Sequence, residues 1–104
     1  MTRNAMSVYI EAMLLLLPPD AGGRNAPVAP REGSYRPYTR LDGHIGRARL
    51  LEGPPLLAPG DAARVMLELE GEPALHRGAE LQILEHGERI VGAATVLRIC
   101  GSLV

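Results

Sequence analysis

Phenylalanine, tryptophan and lysine are all absent from these 104 residues, and there is one cysteine, Cys100. A lone thiol excludes an internal disulfide framework and a cysteine-based zinc cluster. Without lysine there is no G-x-x-x-x-G-K-[ST] loop, so the chain is not a GTPase by itself. The aromatic complement is Tyr9, Tyr35 and Tyr38, too few for a platform on which successive bases stack. Charge of one sign is lacking too: 11 basic residues, all arginine, face 12 acids for a net charge of -1. No overall field therefore draws the chain onto nucleic acid or an acidic membrane. The apolar run Ala12–Leu17 is six residues long, far below the ~20 needed to span a bilayer. It also falls short of the roughly 7–15 residues of a secretory signal core, and Glu11 precedes it. The expectation is a cytoplasmic protein with a reduced thiol and no membrane partner.

What is present is a hydrophobic content of 46% and a charged content of 22%, the balance of one folded domain spanning residues 1–104. With so few aromatics, its core must come from Leu, Val, Ile, Ala and Met. Dense punctuation by 12 glycines and 9 prolines cuts the chain into short pieces. Ser7–Leu17, with β-branched Val8 and Ile10, reads as a first strand whose leucine-rich end is wholly buried. Residues 18–37 carry Pro18, Pro19, Gly22, Gly23, Pro27, Pro30, Gly33 and Pro37. That composition predicts a long irregular loop, of a length that is usually functional or covered by a partner.

Tyr38–Leu41 and Ile45–Leu51 are short strand candidates joined by the turn pair Asp42-Gly43. Pro59-Gly60 fits a type II turn, because its third position needs a positive φ. Ala63–Glu70 then alternates, with Val65, Leu67 and Leu69 on one face. Leu81 and Ile83 repeat the pattern, which sets Glu80, Gln82 and Leu84 outward. His86-Gly87 makes the next turn, and Arg89–Ile99 is the last long strand, with Gly92 marking a bulge or bend. No stretch shows a helical stripe over three turns. The pattern predicts an all-β chain, closed into a barrel over about residues 7–100 to remove its edges.

Five landmarks occur in order: Gly22-Gly23-Arg24-Asn25-Ala26-Pro27, Tyr35-Arg36-Pro37, Ala58-Pro59-Gly60-Asp61, Glu72-Pro73, and the closing run Glu85 to Val96. In these the chain resembles, over about residues 8–100, the third (C-terminal) domain of the elongation factor Tu family of translational GTPases. That family carries a G-G-R-x-x-P loop, a Y-R-P strand lead-in, a P-G-D turn and a closing strand of the form G-G-R-T-V-G-A-G-V-V. The resemblance implies a six-stranded antiparallel Greek-key barrel. In the family this barrel packs on the GTP-binding domain, touches the tRNA backbone and meets the nucleotide-exchange factor. Where many members carry a lysine before a proline, this chain has Glu72. Beside phosphate, that exchange turns an attraction of order 1 kcal/mol into a repulsion.

On this basis the partner-binding candidates are Gly22, Gly23, Arg24, Tyr35, Arg36 and Pro37, facing a GTP-binding domain or another translation factor. The surface that a GTP-binding domain covers in the family is bare in a lone barrel, so self-association is an expectation as well. A second reading is RNA: Arg24, Arg36, Arg40 and Arg89 on tRNA or rRNA phosphates, with Glu85 and Gly87 corresponding to the family's Glu-Gly contact. Arg24, Arg31, Arg36 and Arg40 lie within 17 residues with Glu32 as the one intervening acid, a local anion-binding surface or a solvated face. His44, His76 and His86 sit at separate turns without metal-ligand spacing. Cys100 reads as a small buried core residue, with a nucleophile as the alternative. Glu68 and Glu70 share a strand face, but no serine or histidine accompanies them for acid/base chemistry. No catalysis, cofactor or metal is expected.

Overall fold

A computed structural model describes residues 7–71 and 73–103. Six strands run in chain order: β1 (Ser7–Leu16), β2 (Tyr38–Leu41), β3 (His44–Glu52), β4 (Ala62–Glu70), β5 (Glu80–Glu85) and β6 (Arg89–Leu103). They close into a barrel in the order β1-β4-β3-β2-β5-β6, and every neighbouring pair is antiparallel. The β2-β3-β4 meander returns to lie beside β1, which is a Greek key. Closure leaves no strand edge unpaired, as the alternating apolar pattern predicts.

Alternation fills the interior. Ile10, Ala12, Leu14 and Leu16 of β1 point inward with Val65, Leu67 and Leu69 of β4, Leu81 and Ile83 of β5, and Val91, Ala94 and Val96 of β6. The same alternation corrects the expectation of a wholly buried β1 end. Met13 and Leu15 are 38% and 41% exposed, because a strand in a single-layered wall can turn only every second side chain inward.

Turn chemistry sets the connections. Asp42 and Gly43 both take positive φ, 51° and 80°, as a two-residue hairpin requires. Gly60 has φ 94°, and the Asp61 N–H donates to the Ala58 carbonyl at 3.0 Å, closing the expected turn. Gly92 marks a close approach of two strands. A Cβ there would lie 2.4 Å from the Leu15 carbonyl oxygen, and the β5–β6 register shifts beside it.

Leu84 departs from the expected exposure without changing face, because the segment before β2 covers it. It is fully buried although alternation places it outward. It lies outside the core cluster and sits with Arg24, Tyr35 and Pro37 on the outer side of β5. Cys100 is corrected as well: it is exposed, not buried. In the β1–β6 register, Ile10 opposes Ile99 and Tyr9 opposes Gly101, so Cys100 is the extra residue of a bulge near the barrel's end.

The segment between β1 and β2 contains two short 3-10 turns, Pro19–Ala21 and Pro30–Glu32, and folds over one end of the barrel. Val28 forms a bridge with Leu57, and Val28, Pro30 and Leu57 are buried there. No helix among the described residues is long and apolar enough to cross a membrane.

Candidate functional site

The first 3-10 turn ends at Gly22, whose φ of 91° lets the chain reverse so that Gly23 N–H reaches the Pro18 carbonyl at 3.0 Å. This leaves the carbonyls of Gly22 and Gly23 aimed at β6. Arg89, at the start of that strand, donates to both: Nε to Gly22 at 3.2 Å and Nη2 to Gly23 at 2.7 Å. One residue further, Arg24 pairs with Glu85 at the end of β5, Nη1 to Oε2 at 2.9 Å. Its guanidinium carbon lies 5.0 Å from the centre of the Tyr35 ring, within cation–π range. The Tyr35 hydroxyl donates to the same Glu85 oxygen. Burial, then the hydrogen bond to Glu85 and its negative charge, push the Tyr35 phenol well above its ordinary value, more than Arg24 lowers it.

Residues from three separate stretches of sequence therefore form one knot: Gly22, Gly23 and Arg24 in the loop, Tyr35 before β2, and Glu85 and Arg89 in the β5–β6 hairpin. The clamp is incomplete. Arg24 Nε is buried without a hydrogen-bond partner, an omission that costs about 1–3 kcal/mol. Arg40 joins the same hairpin from β2, with Nε on Gln82 at 2.7 Å and Nη1 on Glu88 at 2.9 Å. His86 and Gly87 both take positive φ, 50° and 85°, in that hairpin's turn. Pro37 is buried, and its carbonyl accepts from Ala48 N–H at 3.0 Å.

Arg36 stands apart. It is exposed, has no ion-pair partner among the described residues, and borders a depression of about 200 Å³ with Arg47, Arg49 and Glu68. Arg47 lies 4.7 Å over the Tyr38 ring, while Arg49 donates to Glu68 from Nε at 3.2 Å and Nη2 at 2.9 Å. Burial raises the Glu68 carboxyl, but hydrogen bonds from Ser7, Arg49 and Tyr9, with the Arg49 charge, bring it below its ordinary value. Strand alternation places Arg47 and Arg49 together on the outer wall, a signal present in the sequence that motif reading passes over.

His44, His76 and His86 are all exposed. Among the described residues no group of three or more His, Cys, Asp or Glu side chains is placed to hold a metal ion. Glu72 lies outside the described residues. The chain matches no protein-family model.

Two apolar features went unread in the sequence. Met13 and Leu15 project from β1, and Ile90, 37% exposed, projects from β6 directly after Arg89. Met13 opposes Thr95 and Leu15 opposes Ala93 across the β1–β6 pair. Ile90, paired with Leu84 of β5, follows the arginine that holds the Gly22 and Gly23 carbonyls.

Proposed function

We propose that this chain is a non-catalytic, cytoplasmic binding module, similar to the third domain of elongation factor Tu, whose partner is a protein linked to translation. The observation that carries the reading is the exposure of the aliphatic side chains Met13, Leu15 and Ile90, together with a loop that Arg89 and Glu85 hold in place. A held loop does not have to be ordered when a partner arrives, which saves binding free energy. Each half-exposed aliphatic side chain covered by a partner contributes about 1 kcal/mol. The partner of choice is the GTP-binding domain of an elongation factor Tu family protein, which the resemblance pairs with this barrel.

The test is titration calorimetry against that isolated domain. Leu15→Glu, at an outward position, is expected to leave folding intact and to weaken binding by tenfold or more. No binding by the unaltered chain, or equal binding by the variant, defeats the reading.

RNA contact is the second reading. Arg24, Arg40 and Arg89 direct hydrogen bonds within the chain, whereas Arg36 and Arg47 have no carboxylate partner among the described residues. If tRNA binds through them, affinity falls with salt by roughly one log unit per log unit for each phosphate engaged, and Arg36→Glu lowers that slope. Absence of a gel shift at low salt removes this reading.

A further inference from the structure

The barrel wall carries a second feature, away from the clamped loop. A groove of about 630 Å³ crosses the outer face of β6 near Leu97. It is there because β6 bulges: Glu11 opposes Arg98 while Ala12 opposes Val96, so Leu97 has no opposite residue on β1. A bulge bends the strand and re-aims its side chains, and Leu97 and Ile99, the latter 46% exposed, both line the groove. Three arginines from three elements surround this apolar floor: Arg64 of β4, Arg98 of β6 and Arg77 of the β4–β5 connection. The connection is itself fastened to β6, with Gly78 N–H donating to the Val96 carbonyl at 2.8 Å and Val96 N–H to the Ala79 carbonyl at 2.8 Å.

These guanidinium groups are under-used. Arg64 and Arg98 share one carboxylate, Glu11, at 3.8 and 3.5 Å. Both distances exceed the roughly 2.7–2.9 Å of a charge-assisted hydrogen bond. Arg77 makes no ion pair among the described residues.

We infer that this groove binds an acidic extended peptide of a partner protein, with carboxylates on Arg77, Arg98 and Arg64 and an apolar side chain against Leu97 and Ile99. Two features favour peptide over nucleic acid. The floor is aliphatic with no aromatic ring for a base to stack on. In addition, acids stand on both strands flanking β6, Glu11 on β1 and Glu80 opposite Thr95 on β5. A continuous run of phosphates crossing the groove meets repulsion on both sides, whereas discrete carboxylates can be spaced to land on the arginines.

Fluorescence polarisation tests this with a fluorescein-labelled decapeptide alternating glutamate and leucine. Its lysine-for-glutamate counterpart and a decathymidine strand serve as comparisons. The acidic peptide is expected to bind saturably and more tightly than either. Arg98→Glu and Arg77→Glu are each expected to weaken it by about tenfold or more, and Ile99→Asp to weaken it as well. All three positions are exposed, and thermal melting confirms that the variants remain folded. Arg36→Glu and Leu15→Glu, outside the groove, are expected to bind the peptide unchanged, which separates this site from the proposed protein interface. Equal binding of the lysine peptide, wild-type affinity in both reversed variants, or tighter binding of decathymidine overturns the inference, the last by giving the groove to single-stranded nucleic acid.

Discussion

The two ends of the barrel differ: one is sealed and the other is left open. At one end the segment of residues 17–37, after β1, folds inward as a plug. Val28, Pro30 and Leu57 are buried there, Val28 and Leu57 in one cluster with Leu16 and Val91, and backbone bonds knit the rim: Leu16 N–H to Asp61 at 3.0 Å, Leu17 N–H to Val91 at 2.9 Å and Gly60 N–H to Leu16 at 2.8 Å. At the other end the connection between β2 and β3 is the two-residue turn Asp42-Gly43, too short to fold over the opening. A depression of about 390 Å³ remains there, walled by the inward-facing Leu41, Leu69 and Leu81 and rimmed by Asp42 and His44. The long segment seals one end, whereas at the other neither the two-residue turn nor the β4–β5 connection, whose Pro73 and Ala74 line the depression, fills it. Proline makes the long seal less costly, since a residue with fixed φ loses less entropy on ordering.

The largest test of this contrast is at the sealed end. Leu16→Ala removes a fully buried side chain beneath the plug and is expected to lower stability by about 4 kcal/mol, read from urea denaturation. A smaller loss beside Val91 would mean that the plug collapses into the space.

Next come paired glycine substitutions. In Gly23→Ala the new Cβ meets the Leu17 carbonyl oxygen at 1.9 Å, which forces the loop to move and costs about 3 kcal/mol. Gly43→Ala at the open end has nothing within 4 Å and a φ of 80°, so it bears only the left-handed backbone penalty of about 1 kcal/mol. Equal losses would erase the distinction between the ends.

The clamp is expected to respond to pH. Tyr35 is neutral in the fold and its phenol is raised above its ordinary value of 10.0. The folded state therefore holds this proton when the unfolded chain has lost it. The stability it contributes is fully present below about pH 10 and is lost as pH rises further. Tyr35→Phe should flatten that alkaline decline in a melting series, and an unchanged decline would place its origin elsewhere. On the acid side Glu68, lowered in the fold, contributes stability above its ordinary range that fades as pH falls. Glu68→Gln should reduce that acid sensitivity.

The smallest effect is expected at Cys100. An exposed thiol should react with Ellman's reagent in the native state and, once modified, leave the melting temperature unchanged within about 1 °C. A protected thiol would mean that the bulge packs Cys100 inward.

Local signals made the strands legible. The alternation of Val65, Leu67 and Leu69, the pairs Asp42-Gly43 and His86-Gly87, and the proline cluster of 18–37 each act within a few residues. Each reappears as a strand, a turn or the plug. The candidate loop residues were legible individually, but their meeting was not. Arg24 and Glu85 are 61 positions apart and Arg89 and Gly22 are 67, and no local pattern reports a contact over such separations. The burial of Leu84 depends on a cover supplied by residues about 50–60 positions earlier in the chain, and the exposure of Cys100 on a bulge in β6, and neither leaves a local pattern in the sequence.

The sequence alone determined an all-β wall of aliphatic side chains, because period-two hydrophobicity and glycine–proline turns are local steric properties of the chain. Tertiary structure alone decided which arginines are tied into the loop clamp and which have no close carboxylate partner among the described residues. A guanidinium's availability depends on the carboxylates and carbonyls that barrel closure brings beside it, and those come from strands remote in the chain.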